Sequence, residues 1–269
     1  MSTKVGHVHL ELPQSLRTER RGDVAVLWLS RPKKRNAIND EMLHGIKLFF
    51  TNLHHDVKAV VIAADGDNFS AGLDLGDLSE KDAAEGMFHS RSWHEAFHHV
   101  QYARVPVVCV LKGAVVGAGL ELASATHLRV AERNTYFGLP EGQRGIFLGG
   151  GGSVRLTRLL GVALVTDMML TGRTVNADDG YIFGFTQYLV DAGKGFEKGV
   201  ELAEKAAGNA PLSNYAIIHA LPRIAEMGPE DGLLTESLVT GIVQSTKDAK
   251  ERLNAFLEKR AAKVSRPPT

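Results

Sequence analysis

The sequence predicts an α/β fold, in which short strands alternate with helices along the first two-thirds of the chain. The strand signal comes from short runs rich in apolar and β-branched residues. Several of these runs are continuously apolar, as in sheets that are covered on both faces. The predicted strands are Val24–Ser30, Ala59–Ala64, Val107–Leu111, Leu128–Ala131 and Gln187–Val190.

Segments with helical patterns lie between these strands. Asn39 precedes the first of them, and its side chain is suited to accept a hydrogen bond from an amide of the first helical turn. A glycine run precedes the last. The predicted helices are Asp40–Leu53, Ala83–Tyr102, Ala118–Ala125 and Ser153–Leu160. This alternation is the second observation that favours an α/β fold.

The character of the chain changes after about Lys194, beyond which helical segments are interrupted by proline and glycine and no strand is convincing. The last helix is predicted over Lys247–Lys263 and is amphipathic. Its apolar face is formed by Leu253, Phe256 and Leu257. We therefore divide the chain into an α/β core, residues 1–195, and a helical region, residues 196–269, which is expected to serve packing or oligomerisation.

Charge and cysteine content exclude several classes of protein. Lys+Arg and Asp+Glu both number 31, so no global field attracts nucleic acid or an anionic membrane. The single Cys109 excludes an intrachain disulfide and an all-thiolate zinc site, and its apolar surroundings predict a buried, inert thiol.

The distribution of apolar residues gives an expectation about location. No run approaches the roughly 18 apolar residues of a membrane span. The N-terminal segment is polar and lacks the apolar core of a secretion signal. A cytoplasmic location is therefore expected.

Two loop segments that follow strands could bind a ligand. The basic segment RPKKRNAIN, Arg31–Asn39, is either a surface turn or a loop whose cations meet the phosphates of a ligand. In NFSAGLDL, Asn68–Leu75, small residues and Gly72 would let a ligand approach free backbone amides, although the segment could equally be an ordinary turn.

A third segment, KGAVVGAGLELASAT over Lys112–Thr126, is rich in glycine and leads into a helix. Such segments present amides without helical partners, here those of Gly117, Ala118 and Gly119, with Glu121 one turn into the helix. The segment lacks the third glycine of a dinucleotide-binding loop, because Leu122 occupies that position.

The fourth segment is FGLPEGQRGIFLGGGGSVRLTRLLG, Phe137–Gly161. Glu141 follows Pro140 in a loop, and the four glycines Gly149–Gly152 precede a helix. A triphosphate-binding loop would end in Gly-Lys-Ser/Thr, and no lysine is present here, so a nucleotide triphosphatase is disfavoured.

The run from His94 to His98 matches the H-E-x-x-H pattern of zinc peptidases, in which two histidines bind zinc and the glutamate activates water. The usual continuation with a third ligand is missing, although Glu121 lies downstream. The alternative is an amphipathic helix that directs Trp93 and Phe97 toward an apolar pocket or the core. A zinc hydrolase remains the alternative of a different class.

The four segments, taken in order, resemble the enoyl-CoA hydratase/isomerase (crotonase) superfamily, from about Gly22 through the last helix. The resemblance implies a core of repeated β-β-α units, the ClpP/crotonase fold, with a C-terminal helical trimerisation region. It implies a homotrimer or homohexamer and an acyl-CoA thioester as substrate. No metal or redox cofactor is expected, since coenzyme A is part of the substrate.

The resemblance also implies roles for individual residues. Glu121 would activate a water molecule and Glu141 would donate a proton to C2, while the amides of Leu73 and Ala118 polarise the thioester carbonyl. The residues that match the family's CoA site are Lys33, Lys34, Arg35, Ala37, which contacts adenine through its backbone, Ala71, Leu73, Phe256 and Lys259, the last two from a neighbouring subunit.

The helix over Ala83–Tyr102 corresponds to the family's variable acyl pocket. Its candidate lining residues are Trp93, His94 and Phe97, which would suit a bulky or aromatic acyl group.

Two positions depart from the family pattern. Ala118 replaces the middle glycine of a triplet, where a methyl group would interfere if the backbone needs a positive φ. Leu139 stands where many hydratases have glutamine. Isomerases of the superfamily often keep only the glutamate at the position of Glu141, and hydrolases and lyases vary one or both. Both glutamates are present here. The resemblance therefore favours an enoyl-CoA hydratase, which adds water across the 2,3 double bond of the thioester, over an isomerase and over a non-catalytic protein.

Overall fold

The computed structural model describes residues 11–74, 76, 82–258 and 260. The strands are β1 (Leu16–Arg21), β2 (Val24–Leu29), β3 (Ala59–Ala64), β4 (Val107–Leu111), β5 (Ala114–Val116), β6 (Leu128–Glu132), β7 (Tyr136–Gly138), β8 (Val175–Asn176) and β9 (Tyr188–Val190). The helices are α1 (Asp40–Thr51), α2 (Ala83–Gln101), α3 (Ala118–Ser124), α4 (Gly152–Leu160), α5 (Val162–Thr171), α6 (Ala177–Ile182), α7 (Gly195–Ala207), α8 (Pro211–His219), α9 (Leu221–Ile224), α10 (Pro229–Ser245) and α11 (Lys247–Leu257).

The larger sheet has the strand order β1-β2-β3-β4-β6-β9, and all pairs are parallel except β1 with β2. Its central strand β3 is buried along its whole length. Val60 and Ile62 belong to one apolar cluster, together with residues of α1 and α2. Val61 and Ala63 belong to another, with residues of α7. The sheet is therefore covered on both faces, as its continuous apolar runs predict.

A smaller sheet, β5-β7-β8, places the segments that carry Glu121 and Glu141 side by side. Strands β5 and β7 are parallel, with Val116 opposite Gly138. Beyond β5 the chain enters α3, and beyond β7 it reaches Pro140 and Glu141. These strands are absent from the sequence prediction, because runs of two or three residues carry no readable periodicity.

The chain forms two compact units, one ending at Ala207 and the other beginning at Gly208. The first unit therefore includes α7, which the boundary expected after residue 195 places in the helical region. Helix α7 belongs to the first unit because Leu202 and Ala203 are buried in the cluster beneath the larger sheet. The second unit contains helices α8 to α11, as the strand-poor sequence predicts.

The C-terminal unit carries an exposed apolar surface whose expected role in trimerisation stays a prediction. Helix α10 exposes large apolar side chains, namely Leu233, Leu234, Leu238 and Ile242. Helix α11 ends at Leu257, and the rest of the helix predicted to Lys263 includes Lys259 and 261–263, which lie outside the described residues.

The burial of Cys109 and the length of the helices bear on the reactivity of the thiol and on membrane insertion. Cys109 is buried, and desolvation raises the pKa of its thiol far above the usual range, which leaves it unreactive. Within the described ranges, no helix has both the length and the apolar character that crossing a bilayer requires.

Candidate active site

The basic loop after β2 is held by one buried side chain. Asn36 adopts a positive φ of 53°, a conformation that asparagine tolerates better than most residues. Its Nδ2 donates to the carbonyls of Asp65 and Asn68, both at 2.8 Å, and its Oδ1 accepts from the amide of Arg31, also at 2.8 Å. The predicted phosphate-binding side chains, those of Lys33, Lys34 and Arg35, are exposed around this anchor.

Ala37, the predicted adenine contact, is nearly buried, and both of its backbone polar groups have partners. Its amide donates to the carbonyl of Lys34 at 3.0 Å, and its carbonyl accepts from Nη1 of Arg31 at 2.7 Å. Nη2 of Arg31 also donates to Oδ2 of Asp74 at 2.7 Å. This clasp joins the basic loop to the segment around Gly72, and the sequence reasoning did not identify it.

The segment around Gly72 presents the first candidate oxyanion donor. Ile38 donates its amide to the carbonyl of Gly72 at 2.8 Å, and Asp74 donates to the carbonyl of Ile38 at 2.9 Å. Between these two bonds, the amide of Leu73 finds no acceptor among the described residues. Gly72 has a φ of 99°, and a Cβ there would lie 2.9 Å from the carbonyl oxygen of Val116.

The second candidate donor is the amide of Ala118, the first residue of α3. A first helical residue has no partner within its helix, and none of the described residues supplies one from outside. The positive φ in this stretch, 51°, belongs to Gly117 and not to Ala118. The methyl group of Ala118 therefore causes no backbone strain, which answers the question raised by its replacement of glycine.

Glu121 is only 4% exposed and is anchored through one of its two oxygens. Its Oε1 accepts from the amides of Gly150 and Gly152, both at 2.8 Å. Its Oε2 has no partner within the described part of the chain. Burial raises the pKa of Glu121, and the two amides together with the nearby Arg155 oppose this rise.

Glu141 is 6% exposed, and its Oε2 is buried without a hydrogen-bond partner in the described residues. Burial, with the charge of Glu121 as a smaller contribution, raises the pKa of Glu141 to about 7. A Cβ on Gly117 would lie 2.9 Å from Oε1 of Glu141, so the absence of a side chain there gives the carboxyl its space.

One pocket of about 490 Å³ brings these groups together. Its wall contains both glutamates and the candidate donor residues Leu73 and Ala118, with Ala71 beside them. Two buried carboxyl groups and two unpaired amides thus face the same space, an arrangement suited to proton transfer next to a developing oxyanion.

A family model described as enoyl-CoA hydratase/isomerase matches residues 19–266. The chain belongs to this family. The match covers the α/β core from within β1 onward and all of the helices α8 to α11, and it agrees with the resemblance that the four sequence segments indicate.

Individual relatives agree with this assignment. A putative enoyl-CoA hydratase of Thermus thermophilus is 36% identical over 245 residues, which are 89% of this chain and 96% of that protein. A 2,3-dehydroadipyl-CoA hydratase of Escherichia coli is 32% identical over 88% of this chain and 93% of its own length. The crystal structure of a putative enoyl-CoA hydratase from Rhodopseudomonas palustris is 53% identical, covers 91% of this chain and 95% of that chain, and has a TM-score of 0.89. The crotonase-like α/β fold is thereby confirmed.

The pocket wall contains only part of the predicted acyl-binding set. Trp93 lies in the wall, whereas His94 and Phe97 do not. Phe97 is fully buried behind Trp93, with the ring centroids 5.7 Å apart. The structure adds seven positions that the sequence reasoning missed, namely Gly86, His89, Ser90, Arg144, Ile146, Phe147 and Leu148. Helical spacing from Trp93 could have identified those on α2.

The H-E-x-x-H run lies on α2, and the described residues do not complete a metal-ligand group around it. Oε1 of Glu95 is 2.7 Å from Nζ of Lys47 on α1, so this carboxylate is directed to a lysine. The ring of His98 packs against Tyr102 at 4.7 Å. In the ranges that the structure describes, no three His, Cys, Asp or Glu side chains are grouped to hold a metal ion. The zinc alternative gains no support.

Glu141→Gln is expected to stabilise the fold, and increasingly so as the pH rises. The folded pKa of about 7 lies above the ordinary value of 4.5, so the stability present below the ordinary value is lost as the pH rises through 7. Since one pKa unit corresponds to about 1.4 kcal/mol, the variant should gain up to about 3 kcal/mol on the wild type between about pH 5 and pH 8. Urea unfolding at both pH values measures this gain, and an equal difference at the two would contradict it.

Proposed function

We propose that this chain is an enoyl-CoA hydratase, which adds water syn across the 2,3 double bond of an enoyl-CoA thioester to give a 3-hydroxyacyl-CoA. The observation that supports this most is the convergence of Glu121, Glu141 and the unpaired amides of Leu73 and Ala118 on one pocket. The family assignment supports the coarser statement that the substrate is an acyl-CoA thioester.

The two amides would stabilise the negative charge that develops on the thioester oxygen. As hydroxide adds at C3, electron density moves through C2 onto that oxygen and forms an enolate. Donors held in place before the reaction lose little energy in reorganising, and removing one such donor typically costs about 3 kcal/mol. Leu73 is held by the bridge to Ile38, and Ala118 by the start of α3.

The two glutamates would divide the proton transfers between them. Glu121 is fixed through Oε1, which leaves Oε2 to accept a proton from the attacking water. Glu141, with a pKa of about 7, is partly protonated near neutral pH and can donate to C2. The hydroxyl group of water is added at C3 and a proton is added at C2. At the end of the turnover Glu121 is protonated and Glu141 is ionised.

CoA would be bound by residues of the basic loop and of the segment around Gly72. Lys33, Lys34 and Arg35 would contact the phosphates, Ala37 the adenine, and Ala71 and Leu73 the thioester end. Phe256 is exposed on α11 and would reach CoA from a neighbouring subunit of a homotrimer or homohexamer, together with Lys259. The reaction as proposed uses proton transfer alone, without a metal or redox cofactor, and we place the enzyme in the cytoplasm.

A direct assay tests the proposal. The protein is mixed with crotonyl-CoA and with cinnamoyl-type CoA thioesters, and the absorbance of the conjugated thioester is followed. We expect the absorbance to fall as the 3-hydroxyacyl product forms. Double-bond migration without net hydration would favour an isomerase, and no change with any acyl group would refute both activities.

A further inference from the structure

Arg155, in the first half of α4, makes two directed hydrogen bonds behind the catalytic pocket. Its Nε donates to Oε1 of Gln101 at the end of α2, at 2.7 Å, and its Nη1 donates to the carbonyl of Gly150 at 2.9 Å. The guanidinium does not belong to the pocket wall. It joins the helix that lines the acyl side to the glycine run that precedes α4.

The glycine run depends on this support for its shape. Gly151 has a φ of 93°, and a Cβ at this position would collide with the Arg155 guanidinium, so the run is folded directly onto that group. The amides on either side, those of Gly150 and Gly152, are the two that hold Oε1 of Glu121. The order of contacts is therefore Gln101, Arg155, the glycine run and Glu121.

Arg155 is also a partly buried positive charge close to a buried carboxylate. No ion pair within 4.0 Å joins it to an acidic side chain of the described residues, so its charge is not neutralised by direct contact. Burial lowers the pKa of Arg155, and the charge of Glu121 opposes this change. The field of the guanidinium acts in return on Glu121 and favours the ionised carboxylate.

We infer that Arg155 is a positioning residue for the proposed hydration: it holds the Gly150–Gly152 run in the conformation that binds Glu121, and it keeps Glu121 in the form that accepts a proton from water. This inference rests on the proposed function. Arg155 does not belong to the pocket wall and, among the described residues, has no acidic partner within 4.0 Å.

Other titratable groups face Arg155 and Glu121. Across the pocket, Glu141 follows β7, and its charge acts on Glu121 in the direction opposite to that of Arg155. On the α2 side, Tyr102 and His94 lie within the field of Arg155. Burial lowers the pKa of His94, and the charges of Arg91 and Arg155 lower it further. Because His94 does not line the pocket, its titration should leave the rate of hydration unaffected.

The test compares the pH profiles of kcat/KM for crotonyl-CoA hydration in the wild type and in Arg155→Met. The acidic limb, which reports the group that must be deprotonated, is expected to move up by about one pH unit. At neutral pH, kcat should fall about tenfold or more with little change in KM. Arg155→Lys, which keeps the charge but not the two-point geometry, should restore the limb while kcat stays reduced.

Arg158→Met is the matched control, because Arg158 lies on the same helix and donates to the carbonyl of Val154 within it. Its profile should coincide with that of the wild type. If Arg155→Met does not fold, Gln101→Leu removes the acceptor on α2 and retains the charge, and it should lower kcat without moving the limb.

The outcomes separate the two proposals. Suppose that the wild type hydrates crotonyl-CoA while the acidic limb does not move in Arg155→Met, or while kcat is unchanged in Gln101→Leu. Either result overturns the role of Arg155 and leaves the proposed function intact. Absence of hydration by the wild type refutes the proposed function itself.

Discussion

Replacing Glu141 or Glu121 by glutamine is expected to lower kcat for hydration by about 10²–10⁴-fold, the range typical of a lost general acid or base. An amide neither accepts the proton from water nor donates one to C2 in these roles. KM should change little, because the predicted CoA contacts lie in the basic loop around Asn36 and in the segment around Gly72. Steady-state hydration of crotonyl-CoA measures both constants.

Glu132→Gln is the matched control for this pair. Glu132 is also buried, and its Oε1 accepts from the amide of Gly195 at 3.1 Å, but it does not line the pocket. Its replacement should leave kcat within about twofold of the wild type, since its contact lies outside the proton path. Full activity in either Glu121→Gln or Glu141→Gln would remove that residue from the proposed chemistry.

Gly72→Ala is expected to lower kcat by about 10²–10³-fold, the loss typical of one oxyanion donor. The new Cβ would lie 2.9 Å from the carbonyl oxygen of Val116, and the φ of 99° is unfavourable for alanine. Relief of this contact must move the backbone next to Leu73, whose amide is the proposed donor. Because the Cβ would also lie 3.7 Å from the amide nitrogen of Ala118, the movement disturbs the second donor as well.

Gly193→Ala separates this effect from the general cost of a positive φ. Gly193 has a φ of 79° with no described atom within 4 Å of its added Cβ, and it is remote from the pocket in sequence and in contacts. Both variants should lose stability by thermal unfolding, whereas only Gly72→Ala should lose catalysis. Equal kcat values in the two variants would show that the geometry at Leu73 is unimportant.

The parts of the fold that the sequence predicts are those with a strong apolar signal. Strand β3 and its neighbours are readable because both faces are buried and each run is continuously apolar. The small sheet carries no such signal, since β8 has only two residues. Helix α7 falls in the predicted helical region because amphipathic spacing reveals a buried face but not its partner, which here is the larger sheet.

At the candidate site, the sequence predicts the types of residue but not the geometry in which they meet. The glutamates and glycine segments can be identified from the sequence by resemblance, but the contacts of Glu121 with Gly150 and Gly152 cross about thirty residues and have no local signature. His94 and Phe97 were placed in the pocket because helical spacing alone does not show how deep each turn lies. The clasp between Arg31 and Asp74 was not anticipated because it joins two loops that are distant in the sequence.

The pairing of β5 with β7 sets the limits within which the length of this chain can change. Val116 lies opposite Gly138, and each glutamate follows its own strand after a short, fixed interval. Inserting or deleting one residue within either interval would turn the carboxyl away from its counterpart, because a one-residue shift reverses the face of a strand and rotates a helical side chain by about 100°. The connection between α3 and β7 returns through the larger sheet, so its exposed turn can vary without altering that spacing. Length variation among natural relatives should therefore be found in exposed turns such as 133–134 and be excluded from 114–121 and 136–141.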